Sequence, residues 1–173
     1  MILPTPWFQR RFALIEEIGV LPSIIERLDG TSIRLQQKVK SLPEIVLTQQ
    51  LQEKKWTIQE QVGHLQQIEP LWLGRMQDIM GNKEFLREAD LTNQATFDAQ
   101  YNFQHISDIL KQFDKDRAQL VAFLEKVAPI EVTKSALHPR LKTPMRMIDL
   151  AFFVAEHDDH HLATISYIIK TIG

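Results

Sequence analysis

The sequence contains no cysteine in 173 residues. Disulfides, thiolate metal ligands and a cysteine nucleophile are therefore excluded, and any metal site must use nitrogen and oxygen ligands. Net charge is nearly absent too: 20 Lys and Arg stand against 22 Asp and Glu, giving −2 with neutral histidines. Without a basic excess there is no electrostatic footprint for nucleic acid and no polybasic membrane signal, so neither is expected as a partner. Long apolar runs are missing. The N-terminal "MILPTPWFQRRFALIEEIG" interrupts its apolar residues with prolines and charges, unlike a signal peptide, and no later run is long enough to span a bilayer. The default expectation is a cytoplasmic protein with no membrane segment. Also lacking are strand-like alternation, internal repeats, a phosphate-cradling glycine loop, a Gly-x-Ser-x-Gly elbow and inward carboxylate pairs of the glycosidase kind.

What remains is an ordinary globular chain, 44% apolar and 24% charged, expected to form one domain over residues 1–173. Apolar residues recur at spacings of three and four along nearly its whole length. Thr5-Pro6 can cap and open a short helix with Phe8, Phe12 and Ile15 on one face, closing at Gly19. This N-terminal extension helix covers residues 1–20. Pro22 starts a longer helix carrying Ile24, Leu28, Leu35, Val39 and Leu42, in which Gly30 marks a kink or a closely approaching neighbour. "TIQE" is a capping box in which Thr57 and Glu60 satisfy each other's backbone N–H. Ile58, Val62, Leu65, Trp72, Met76 and Ile79 then form one stripe to about Met80, with a bend expected at Pro70. A fourth helix runs from about His105 to Val127, and a last one opens at Thr143-Pro144 and ends near Lys170. The connections over 81–103 and 128–142 are long, as crossovers or functional loops are. The fold class is all-α, a helical bundle without simple up-down-up-down wiring.

Chemistry concentrates in "AEHDDHHLATI", residues 155–165, which holds half of the six histidines. His157 and His161 are four apart and share a flank with Leu150 and Ile168, so both imidazoles can reach the bundle interior. His160 points away and is expected at the surface. An i, i+4 histidine pair is the simplest helical device for holding one cation, yet such pairs more often are plain core or surface residues. His64, on the flank of Ile68 and Leu71 in the capped helix, has the same inward address. Three histidines between two facing helices would leave a fourth ligand position open, the arrangement of catalytic zinc sites; the alternative is core histidines bonded to neighbouring backbone or carboxylate. Glu60 lies one turn before His64 and could ligate, orient a ligand or act as a base, although capping already explains it. Asp158 falls near the centre of the final helix's apolar face and needs a partner there, which a histidine could provide. His138, in "LHPR", could reach the mouth of the site from its loop. His105 reads as a surface or helix-terminal residue, Trp56 and Trp72 as core, and Glu156 and Asp159 as solvent-facing.

"KWTIQEQVGHLQQIEPLWLGRM" resembles the second-helix signature of the DinB-like superfamily, and "LHPRLKTPMRMIDLAFFVAEHDDHHLATI" resembles its final-helix signature. The resemblance covers roughly residues 21–170 and leaves the N-terminal helix outside. It implies a DinB-like four-helix bundle wired up-down-down-up and a divalent metal held by His64, His157 and His161. It also implies a homodimer. Relatives similar in fold are metal-dependent hydrolases and thiol S-transferases or isomerases that use bacillithiol, mycothiol or glutathione. The His-Pro before the final helix is similar to the bacillithiol-transferase branch.

The resulting expectation is a metal-dependent enzyme acting on a small molecule. Zinc or nickel would fill the three-histidine site, with iron or manganese as further candidates, because histidine ligands alone do not select the metal. Activated water would make it a hydrolase, whereas a low-molecular-weight thiol, necessarily from outside a chain lacking cysteine, would make it an S-transferase. In the latter case Asp90, Asn93 and Tyr101 of the 81–103 connection could contact the substrate. The competing expectation is a non-catalytic metal-binding or stress-associated module.

Overall fold

The computed structural model describes residues 2–172. In chain order its helices are α1 (Leu21–Val39), the single turn α2 (Glu44–Leu47), α3 (Ile58–Met80), the short α4 (Gln94–Asp98), α5 (Ile106–Leu124) and α6 (Met147–Ile172). Between α5 and α6 lies a small antiparallel hairpin of β1 (Ser135–Leu137) and β2 (Pro144–Arg146). Among the described residues no helix is long and apolar enough to cross a membrane.

The four long helices pack as a square in which α1 and α3 each touch both α5 and α6. Their directions follow from side-chain pairs. Thr31 bonds Asp158 and Lys38 bonds Ser166, so α1 and α6 run parallel. Gln61 meets His161 and Trp72 meets Phe153, so α3 runs against α6. Ser32 bonds Asp114 and the Leu28 carbonyl accepts from Arg117, so α5 runs against α1. The wiring is up-down-down-up, and its parallel neighbours require the long connections that the sequence displays.

A polar layer divides the core in two. Leu28, Trp72, Met76, Leu120 and Val154 belong to one apolar cluster, and Leu35, Val62, Leu65, Phe113 and Leu162 to the other. Between them each long helix contributes buried polar groups: Thr31 from α1, His64 and Glu69 from α3, Arg117 from α5, and His157, Asp158 and His161 from α6. Buried polar groups persist only when partnered or when held for a ligand. Arg117, Glu69, Asp158 and Thr31 are partnered with one another, whereas His157 Nδ1 has no partner.

Several local expectations need correction. The N-terminal helix is not formed: residues 2–17 make an extended strap with one 3-10 turn at Trp7–Gln9, and a second 3-10 turn at Ile18–Val20 leads into α1. The strap's backbone finds partners on α6 and its approach instead of in an i−4 ladder. Ile15 N donates to Asp149 Oδ1 at 2.9 Å, and the Ile15 carbonyl accepts from Arg146 at 2.7 Å. The final helix starts at Met147, not at Thr143-Pro144, because Pro144 pairs with Leu137 in the hairpin. A proline tolerated at the start of a helix is equally tolerated in an edge strand. Helix α5 ends at Leu124 rather than near Val127, whereas α3 runs to Met80 with Pro70 inside it, as the stripe implied. Gly30 has open space around it, so no neighbour requires it. Gly63 is a close-approach glycine instead: a Cβ there would lie 2.2 Å from the Tyr101 ring. That ring covers α3 one residue before His64 and donates its hydroxyl to Gln66.

Candidate metal centre

The capping box that opens α3 is present in full. Thr57 N–H donates to Glu60 Oε2 at 2.8 Å, and Glu60 N–H donates to Thr57 Oγ1 at 3.1 Å. The box fixes where α3 begins and therefore which residues face the antiparallel α6. Gln61 and His64 face it on consecutive turns. His157 and His161 answer from α6.

His64, His157 and His161 each offer one ring nitrogen, and these lie within 4.8 Å of one another. All three side chains are buried, between 4% and 6% exposed. His161 Nδ1 lies 2.6 Å from Gln61 Oε1. A carbonyl oxygen only accepts, so His161 Nδ1 carries the proton and Nε2 presents a lone pair. That lone pair points at His157 Nε2, 3.2 Å away. His64 Nδ1 bonds Thr96 Oγ1 of α4 at 3.1 Å. His157 Nδ1 is buried without a partner, as is Nε1 of the adjacent Trp72.

Burial holds the imidazoles neutral. Desolvation lowers the His64 pKa to about 4. Desolvation first, then repulsion from the neighbouring histidines, keeps His157 and His161 well below the ordinary value. Neutral imidazole is the form that binds a metal ion. Two outer nitrogens held by Gln61 and Thr96, inner nitrogens converging and all rings uncharged make a donor set that suits a cation. The residues fit the group.

Aromatic rings wall the cluster. Trp56 lies 4.6 Å from His64 and 6.2 Å from His161 between ring centroids. Trp72 lies 5.5 Å from His157. Trp7, on the strap, meets His157 edge-on at 5.0 Å. A cavity of about 1600 Å³ opens from the cluster between the strap, the 88–97 stretch and the hairpin loop.

His160, expected at the surface, is half-buried, packs 5.7 Å from Trp7 and lines this cavity. The strap creates that environment, and a wheel drawn for α6 alone has no strap. Glu60 is occupied by its cap and does not line the cavity. Asp158 lies on the other side of α6, bonded to Arg117 and Thr31 rather than to a histidine. His138 lines the cavity from the hairpin loop, and Asp90 and Asn93 line it from the 81–103 connection. Tyr101 does not; it is spent covering Gly63. His105 is exposed just before α5. Glu156 and Asp159 are held in ion pairs with Arg10, Arg27 and Arg34.

Sequence reasoning missed Gln61, Thr96, Trp7 and the wall role of Trp56. Gln61 carried a signal, lying one turn before His64 on the same flank. Thr96 and Trp7 carried none, because only tertiary folding brings α4 and the strap to the histidines.

Comparison with known proteins bears on the fold and the family. No curated protein matches the chain. Among solved structures it is similar to YfiT from Bacillus subtilis, described as "a probable metal-dependent hydrolase with an unusual four-helix bundle topology". The two share 19% identity over 94% of each chain with a TM-score of 0.82, which establishes a common fold. The family profile of the DinB superfamily matches residues 27–165, which reaches into all four long helices and includes all three clustered histidines. By that match the chain belongs to the DinB superfamily.

Proposed function

We propose that this protein is a metal-dependent enzyme in which His64, His157 and His161 hold a divalent ion, zinc or nickel, beside a small-molecule cavity. The observation that carries this reading is three buried, neutral imidazoles converging at one end of a large open cavity. A closed structural site has no use for such access. A divalent ion there supplies Lewis acidity that lowers the pKa of a water or thiol reaching it.

The chain's own residues do the positioning. Gln61 fixes the tautomer of His161, and Thr96 orients His64. Trp7 and Trp56 shield the imidazoles from bulk water and leave the approach to the cavity side. With no cysteine in the chain, any reacting sulfur comes from solution; the nucleophile is then water in a hydrolase or a low-molecular-weight thiol in an S-transferase. A homodimer belongs to the same reading, supported by the family resemblance, and sedimentation velocity tests it.

Metal analysis of protein purified without a histidine tag is the first test. Alanine at His64, His157 or His161 should each sharply reduce bound metal, while His160→Ala should not. Unchanged metal in His64→Ala removes that residue from the site. The loaded protein is then offered esters and amides without thiol, and chloro- or epoxy-electrophiles with bacillithiol or glutathione. Thiol-independent cleavage supports the hydrolase, and thiol-dependent conjugation supports the transferase. No turnover in either panel, with metal present, favours a non-catalytic binding module.

A further inference from the structure

Arg75 is an arginine that the bundle buries without a counterion. It is 3% exposed, on the same helix as His64, and it lines the cavity. Its Nε donates to the Arg87 carbonyl at 3.0 Å. Among the described residues its two terminal nitrogens make no hydrogen bond, and the side chain forms no ion pair. The carboxylate whose field reaches it, Asp78, is already clasped by Arg87 through two contacts of 2.9 Å. Burial lowers the Arg75 pKa to about 10, which leaves it charged at neutral pH. Its terminal nitrogens are left to the cavity, and their planar fork of donors matches a carboxylate.

His138 stands beside it on the cavity wall. The N–H groups of Arg140 and Leu141 both donate to His138 Nδ1 at 3.3 Å. In the neutral ring Nε2 therefore carries the proton and donates. Burial, followed by the field of Arg75, pushes this histidine below its ordinary pKa and toward that neutral form. One fixed charge with one neutral donor suits a monoanion. Glu88 and Asp90 line the same cavity, as does Arg140, whose field also reaches His138. Trp72 spans the gap to the histidine cluster: its ring lies 5.7 Å from Arg75 Cζ and 5.5 Å from the ring of His157.

We propose that Arg75 and His138 bind a carboxylate group of the substrate, whose apolar body lies along Trp72 toward the three histidines. That the carboxylate belongs to a substrate rests on the proposed enzyme; carboxylate binding itself needs no metal.

Calorimetric titration of chelator-treated protein with 3-phenylpropionate, its uncharged amide and inorganic phosphate tests this. The acid should bind roughly ten- to a hundredfold more tightly than the amide, the worth of a charged hydrogen-bonded contact. Arg75→Met should erase that preference without lowering the melting temperature, because it removes an uncompensated charge. Arg75→Lys should retain part of it, and His138→Gln should weaken the acid while sparing the amide. Equal binding of acid and amide, or no binding of either at millimolar concentration, overturns the proposal. So does an undiminished preference in Arg75→Met, or phosphate binding tighter than the acid. Acid binding that requires added metal and survives Arg75→Met would put the ligand on the histidines, sinking this site while leaving the metal reading intact. Conversely, acid binding through Arg75 in a protein whose histidine variants leave metal content unchanged keeps the site and removes the metal reading.

Discussion

Two clusters of buried ionisable groups share the polar layer, and they meet at consecutive residues of α6. His157 faces α3 and the cavity. Asp158 faces α1 and α5, where Arg117 donates to it and also to both oxygens of Glu69, at 3.0 and 2.6 Å. Thr31 and the Leu28 carbonyl complete that second cluster at 2.9 Å each. Both clusters are removed from water, but by opposite means. The arginine cluster keeps the charge of Arg117 and partners it with two carboxylates. Burial opposes the charge on Arg117, yet the fields of Asp158 and Glu69 raise its pKa; at Glu69 burial outweighs the guanidinium and pushes the carboxyl up. The histidine cluster gives up its charge, compensates nothing and leaves one imidazole nitrogen unpartnered. A closed, mutually satisfied network stabilises the fold, whereas lone pairs held open toward a cavity await a ligand.

Removing the shared guanidinium should break this comparison most severely. Arg117→Met strands two buried carboxylates and should cost about 3–5 kcal/mol in urea denaturation at neutral pH. A loss under about 1 kcal/mol would mean that the cluster is not a structural keystone. Acid should strike the other cluster next. In metal-free protein the folded His64 pKa is about 4 while its unfolded value is 6.5, so on acidification the unfolded chain takes up a proton that the folded one refuses. Stability should be level above pH 6.5 and fall by about 3 kcal/mol for His64 alone as pH drops toward 4. Parallel denaturation series of wild type and His64→Ala should diverge over that window. Superimposable pH profiles would show that His64 is not held neutral by the fold.

Smaller effects sharpen the contrast. Gln61→Leu removes the acceptor of His161 Nδ1–H and should weaken metal binding about 10–100-fold, read by competition with a chromophoric chelator, while barely moving the urea midpoint. An unchanged affinity would leave Gln61 without the orienting role argued for it. Smallest of all should be Arg34→Ala, which removes a half-exposed partner of Asp159 at 2.7 Å. About 0–1 kcal/mol is expected, because solvent screens such a pair. A loss as large as that of Arg117→Met would show that burial is not what separates the two kinds of ion pair.

Each cluster was legible in part. The i, i+4 pair of His157 and His161 and the inward address of His64 follow from helical periodicity, which tertiary context rarely overrides in long amphipathic helices. Periodicity also flagged Asp158 as a carboxylate in need of a partner. It could not name Arg117, because the partner lies on another helix and nothing local records which helices become neighbours. The same limit hid Thr96, Trp7 and the unpaired Arg75. The strap's apolar spacing at Phe8, Phe12 and Ile15 imitated a helix, but its backbone is satisfied by Asp149 and Arg146 across space.

The sequence by itself determined the four long helices, the capped start of α3, the absence of any thiol in the chain and the three histidines that face inward. Those are consequences of side-chain period, local capping and composition. Tertiary structure alone decided that the strap roofs the histidines, that one face of α6 carries a neutral open cluster and the next a charged closed one, and that Arg75 lies buried without an anion. Such outcomes depend on which surfaces meet, and the energy of a buried charge is set by neighbours distant in the chain.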